Sequence, residues 1–236
     1  KRIINDSKSN PLNLFWPRCS KYNPLTSELI IADGKNNRVL FLDNISGKIK
    51  KIIDGYIHNG QENKILDPHD IDINAKNRNL LITASGSDRV LELSDEGELI
   101  NIFSDLKDPH SARYFDDGII ISNTEGNNVR IKYHNGNEET ISSFISLDND
   151  NNSFSRPRHV LQYGVGFLVL DSDNDRVIYI KKENGKWYGE TIEIKFPNNH
   201  IVDFLCFPRC LTFSKERELI ITDTENCRVL LLELID

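Results

Sequence analysis

The chain contains no methionine, only four cysteines and only two tryptophans in 236 residues. Four cysteines in a chain this long do not make a disulfide scaffold, and all four are expected to be reduced, Cys19 and Cys210 being the pair to check. No apolar run approaches the roughly 18 residues that a membrane-spanning helix requires, so no membrane partner is expected. Positive charge is in deficit: 29 Lys and Arg stand against 36 Asp and Glu, a net charge of −7. Nucleic-acid binders draw their affinity from a basic footprint on phosphates, so nucleic acid is not the expected partner either. No secretory leader is visible; the expectation is a cytoplasmic protein whose start has been trimmed, since it begins at Lys1 without a methionine. Sustained helical period is missing too. What is present, 38% hydrophobic and 28% charged residues, is the composition of a globular protein with ample length for a core.

One pattern returns five times. Glu28–Asp33 with Arg38–Leu42, Asn79–Ala84 with Asp88–Leu93, Gly118–Asn123 with Asn128–Ile131, Gly166–Asp171 with Asp175–Ile180, and Glu218–Asp223 with Cys227–Leu232 are successive copies. Taking Asp33, Ala84, Asn123, Asp171 and Asp223 as equivalent, the spacings are 51, 39, 48 and 52. A second marker, a proline followed by Arg or His, keeps step at Pro17, Pro68, Pro109, Pro157 and Pro208, with spacings of 51, 41, 48 and 51. Self-similarity on this scale is the signature of a repeat architecture.

Within a copy, short Ile-, Val- and Leu-rich runs are bounded by Asn, Asp, Gly and Ser, which is the punctuation of strands. The first copy predicts four: one after Pro17, then Glu28–Ala32, Arg38–Leu42 and Ile49–Ile53. The proline fits a strand start, where its missing N–H costs no ladder bond. The fifth copy stops after its third strand, while Lys1–Asn5 echoes the fourth strand around Lys50–Asp54. The expectation is therefore a single all-β domain over 1–236, a five-bladed β-propeller of four-stranded antiparallel blades in which the N-terminal strand closes the last blade and protects its edge.

The repeat, an apolar strand ending in Asp, then Asn, then Arg-Val and a second apolar strand, resembles the NHL repeat. It matches best at Asp33/Arg38, Asp171/Arg176 and Asp223/Arg228; Ala84 breaks the pattern in the second copy, and Asn123 with Asn128 in the third. Propellers of this kind are usually six-bladed, so five is a departure. The resemblance implies that strand one of each blade starts at the ligand face, which places Arg18, His69, His110, Arg158 and Arg209 in a collar around one channel mouth. Cys19, Asp70, Ser111, His159 and Cys210 would form a second ring one residue on.

Five cationic or potentially cationic groups brought together in an acidic protein call for a compensating anion, and guanidinium forks suit carboxylate or phosphate. One reading has Arg18, Arg158 and Arg209 anchor a small anionic molecule while His69 and His110, with His159, move protons and Asp70 orients a histidine. The other has the arginines pair with Asp67, Asp70, Asp108 or main-chain carbonyls and plug the channel. Amidating lyases with NHL repeats hold zinc on histidines near the channel, so the resemblance also implies a zinc site at His69 and His110, with His159 as a third ligand, although two in-phase histidines are fewer than a closed set. Asp171–Asp175 is acidic enough for a calcium loop, but Arg176 and Lys182 stand where that loop needs Gly and an acid; it aligns with the turn of every other copy. Asp148–Ser153 is either a lid or a solvated loop, and Phe144 and Phe154 beside it are candidates to fold over a ligand. Trp16 and Phe207, each beside a repeat proline, are expected in core packing, with a pocket wall as the alternative. The functions in view are a small-anion-binding propeller with acid/base or metal-assisted lyase or hydrolase chemistry, and a non-catalytic scaffold for a protein partner. RNA binding, known for some animal NHL proteins, is disfavoured by the charge.

Overall fold

The computed structural model describes residues 12–146, 148, 150–194 and 204–233. The chain divides into two compact units, Lys1–Tyr114 and Phe115–Asp236. The first holds β1 (Pro17–Asn23), β2 (Glu28–Asp33), β3 (Arg38–Asp43), β4 (Ile49–Ile53), β5 (Gly55–His58), β6 (Gln61–Lys64), β7 (Pro68–Ile73), β8 (Leu80–Ala84), β9 (Arg89–Leu93) and β10 (Leu99–Phe103). β11 (Pro109–Phe115) runs to the division. The second holds β12 (Gly118–Asn123), β13 (Asn128–Tyr133), β14 (Glu138–Ile141), β15 (Ser143–Ile145), β16 (Asn151–Ser153), β17 (Pro157–Tyr163), β18 (Gly166–Asp171), β19 (Arg176–Glu183), β20 (Lys186–Thr191), β21 (Pro208–Phe213), β22 (Leu219–Asp223) and β23 (Arg228–Leu232).

The strands make five antiparallel sheets, one per repeat, and the fold is a five-bladed β-propeller. β1–β4, β7–β10 and β11–β14 are four-stranded meanders. Two details depart from uniform four-stranded blades. The fourth sheet has six strands, because the hairpin β15–β16 adds to β20 through one parallel bridge, Ile145 to Tyr188. A further hairpin, β5–β6, stands between the first two blades. The fifth sheet contains β21–β23; the expected closing strand, Lys1–Asn5, lies outside the described residues.

Strand two of the first four blades carries a continuous apolar run because both of its faces are covered, whereas in β23 Val229 and Leu231 are exposed. In β8 every residue from Leu80 to Ala84 is buried, the pattern of a strand without a wet side. In the first unit Ile30, Val39, Phe41, Ile71, Ile82 and Leu91 share one core. In the second, Ile120, Val160, Val169 and Ile178 form one, and Leu168, Leu211, Ile221 and Leu230 another. Phe144 and Phe154 belong to the former, each 4% exposed with ring centroids 5.2 Å apart. They therefore pack the blade instead of folding over a ligand, and part of the polar run between them forms β16.

Candidate functional site

Every repeat proline follows a residue with positive φ: Trp16 (56°), Asp67 (39°), Asp108 (44°), Arg156 (46°) and Phe207 (49°). An L-residue in the left-handed region needs compensation, and at Asp67, Asp108, Arg156 and Phe207 a neighbouring turn provides it. The turn after strand two ends in a left-handed Asn or Asp whose Oδ1 accepts the N–H of that pre-proline residue in the following repeat. Asp67 N donates to Asn37 at 2.8 Å, Asp108 N to Asp88 at 2.7 Å, Arg156 N to Asn127 at 2.8 Å, and Phe207 N to Asp175 at 2.6 Å. The proline, without an N–H, then starts the strand, and the ladder slips by one residue. Pro17 faces Asp33 while Cys19 faces Ala32, and the same slip follows Pro68, Pro157 and Pro208. The skipped residues are Arg18, His69, Arg158 and Arg209. A bulge re-aims the residue that drops out of the ladder, so the local backbone sets the direction of these four side chains.

In the first unit these side chains meet carboxylates. Arg18 donates through Nε and Nη2 to the two oxygens of Asp67, at 3.2 and 3.0 Å, and Lys35 Nζ reaches Asp67 Oδ2 at 2.9 Å. The structure thus realises for Arg18 the internal pairing weighed above. Trp16 is 61% exposed, so it is not a core residue; its ring carries the Arg18 guanidinium at 5.0 Å and the Lys35 ammonium at 5.7 Å, a cation–π arrangement. His69 and His110 lie edge to face with centroids 4.3 Å apart. His69 Nε2 is 3.7 Å from Asp67 Oδ1, and His110 Nε2 is 3.1 Å from Asp108 Oδ2. Ser85 Oγ donates to the other oxygen of Asp108.

Burial, then the neighbouring His110 and Arg18, push His69 down to about 4, so it is neutral at pH 7. Burial alone would raise Asp108, but hydrogen bonds from His110 and Ser85 hold its carboxyl well below the usual range. Asp67 is likewise held low against its burial by Arg18 and Lys35. Asp70, one residue past the bulge, is 3% exposed and receives both terminal nitrogens of Arg113, one at 3.1 Å. The carboxylates at the histidines are Asp67 and Asp108. Position alone could have suggested them, since each is the pre-proline residue two before a histidine. Among the described residues no group of three or more His, Cys, Asp or Glu side chains is arranged to hold a metal ion.

In the second unit Arg158 and Arg209 both lie against the Phe207 ring, their guanidinium carbons 4.7 and 5.0 Å from its centroid. Phe207 plays the part Trp16 plays in the first unit. Arg158 is 6% exposed, whereas Arg209 is exposed and makes no ion pair among the described residues. His159 is buried and faces Leu170 in the ladder. Cys19, Cys206, Cys210 and Cys227 are free thiols, and burial, with Asp70 beside it, pushes the Cys19 thiol far up.

The repeat motif itself is structural. Asp33 Oδ2 accepts Arg38 Nε at 2.7 Å and Asn36 Nδ2 at 2.8 Å, while its Oδ1 takes the N–H of Phe15 at 2.8 Å. Asp171 and Asp223 repeat the arrangement with Arg176 and Arg228. Each buried carboxylate ties the segment entering a blade to that blade's central hairpin. The tempting acidic run Asp171–Asp175 is one of these clamps with its short 3-10 turn at Ser172–Asn174.

No family model and no curated protein matches the chain. Solved structures do. A protein described as a gluconolactonase is 13% identical, with 92% of this chain and 74% of that one covered and a TM-score of 0.63. Hydrazine synthase of Kuenenia stuttgartiensis is 13% identical over 98% and 80%, with a TM-score of 0.59. Virginiamycin B lyase from Staphylococcus aureus is 12% identical over 92% and 84%, with a TM-score of 0.52. At such identities the likeness establishes the fold class alone. No helix of the described residues is long and apolar enough to cross a membrane.

Proposed function

We propose that this propeller binds a small anionic molecule and acts on it by acid/base chemistry of the lyase or hydrolase type, with His69 as base and His110 as acid. The observation that supports this most is the imidazole pair, 4.3 Å apart and placed differently toward its two carboxylates. Two imidazoles that stand at different distances from their carboxylates can divide the roles of base and acid. His69, neutral at pH 7, is free to accept a proton from a ligand carbon or from water. A proton on the pair has a carboxylate at hydrogen-bond distance at His110, which returns it to the departing group. Both rings cannot be charged at that separation without large repulsion, so one proton at a time crosses the site. Arg18 presents its remaining nitrogen, Nη1, to an anionic ligand group, with Lys35 beside it. Arg158 and Arg209 on Phe207 are, in this reading, a second anion-holding pair in their own unit. The two lyase- and lactonase-named relatives in fold favour this chemistry over a passive scaffold, and the Asp–Asn–Arg clamp is what supports assigning the repeats to the NHL type.

The test measures turnover and binding across a panel of lactones, phosphate esters and carboxylated sugars. His69→Gln should lower kcat by about a hundredfold or more, the scale of a general base, and leave KM nearly unchanged. Arg18→Ala should raise KM instead. If no panel member is turned over or raises the melting temperature, the proposal fails.

A further inference from the structure

We propose that a groove on the outer strands of the fourth blade binds a single neutral sugar ring. The groove measures about 260 Å³ and is lined by Ile145, Ser146, Tyr179, Lys181, Tyr188 and Glu190 with the backbone of Gly189. That is just under the roughly 300–1,000 Å³ of sites for drug-sized ligands and suits a one-ring molecule. Its floor follows from register. Lys181 faces Tyr188 and Tyr179 faces Glu190 across β19 and β20, and residues two apart on a strand share a face. The four side chains therefore form a square, the phenols on one diagonal and the charges on the other. The hairpin β15–β16, the addition that makes this sheet six-stranded, raises Ile145 and Ser146 as a wall.

Tyr179, one half of the aromatic floor, is fixed before any ligand arrives. The Tyr179 ring lies on Gly166, where an added Cβ would stand 2.9 Å from two of its ring atoms. Its edge meets the Tyr163 ring at 5.9 Å and 86°. Gly189 lets the buried Phe144 pack on the opposite face of β20. A ring already held still costs little further entropy on binding.

Charge excludes an anionic ligand. Two tyrosines beside a glutamate would also suit a methylated ammonium group, which makes choline the rival that the test separates from a sugar. Lys181 is itself neutralised by Glu183 at 2.7 Å, so the groove has no surplus positive charge for an anion. A neutral ring offers one C–H face to a phenol and hydroxyls to Lys181 and Glu190.

Saturation-transfer NMR with the methyl glycosides of glucose, galactose, mannose and N-acetylglucosamine, and separately with choline, tests the assignment on the full chain. At least one glycoside should show transfer concentrated on ring C–H protons, with about tenfold weaker binding in Tyr188→Ala, the scale of one aromatic contact. Glu190→Gln should weaken binding less, and both variants should melt within a few degrees of the parent. Transfer from none of the glycosides, equal transfer in Tyr188→Ala, or transfer from choline alone overturns the proposal. The histidine pair is not involved, so the outcome is independent of the lyase or hydrolase reading.

Discussion

The first and second blades share a backbone plan but divide its side-chain work differently. In the first, a buried aspartate clamps the entering strand: Asp33 holds Arg38, Asn36 and the N–H of Phe15. In the second, Ala84 stands in that place, and the equivalent arginine, Arg89, donates to Tyr56 Oη at 2.9 Å. The backbone link survives the loss, since Gly86 N donates to Leu66 O as Lys35 N does to Phe15 O, both at 3.0 Å. The strand that follows bears His69 where the first blade bears Arg18. The clamp is thus one means of fixing the entry strand and not a requirement of the fold. The blade released from it is the one whose bulge carries a histidine.

The widest contrast should come from Asp33→Ala. It strands a guanidinium, an amide and a backbone N–H around a fully buried site, and breaking such a partnership costs about 3–5 kcal/mol. Arg89→Ala, which removes one hydrogen bond to a phenol, should cost about 1 kcal/mol. Chemical denaturation of both variants measures the gap, and equal losses would mean that the clamp contributes nothing special.

Next comes pH. His69 titrates near 6.5 when unfolded and about 4 when folded, so the unfolded chain binds the proton more readily. Its contribution is complete above pH 6.5 and is lost as pH falls through about 4, a change of about 3 kcal/mol at most. Asp67 and Asp108, both held low, act in the same direction at more acid pH. Melting temperatures from pH 7 to pH 4 should therefore drop less in His69→Gln than in the parent. Parallel curves would show that His69 is not held neutral by the fold.

The smallest effect compares the two turns. At Gly34 an added Cβ would lie 2.6 Å from Asp67 Oδ1 and 3.0 Å from the backbone oxygen of Trp16, so Gly34→Ala should cost about 1–3 kcal/mol through crowding and disturb the Arg18–Asp67 pair. Ser85, its counterpart, only donates to Asp108; Ser85→Ala should cost about 1 kcal/mol and raise the Asp108 carboxyl. Thermal melts with carboxyl NMR separate the two. An Ala at position 34 that costs nothing would show that the glycine is not there to make room.

Much of this molecule was legible as text. Five recurrences of apolar strands and prolines gave the blades, because a repeat that cannot bury its own faces must stack on others like it. The bulged residues Arg18, His69, Arg158 and Arg209 were marked by their place after the proline. Their surroundings were not. Trp16 looked like core and is exposed, since the positive φ before Pro17 turns its ring out under two cations. Asp67 and Asp108 entered only as plugs for arginines, because no local pattern shows which carboxylate a bulge will bring to an imidazole. Phe144 and Phe154, beside a polar run, gave no sign that Gly189 would admit one of them to the core.

Sequence alone determined the periodic features: the five repeats, the strands that recur in them, and the Asp–Asn–Arg turns, all of which arise from short-range spacing and backbone preference. Tertiary structure alone decided which charges meet. Arg18 with Asp67 and His69 with His110 are separated by 49 and 41 residues, and such pairing depends on how blades are stapled through left-handed turns, a geometry that no stretch of adjacent residues encodes.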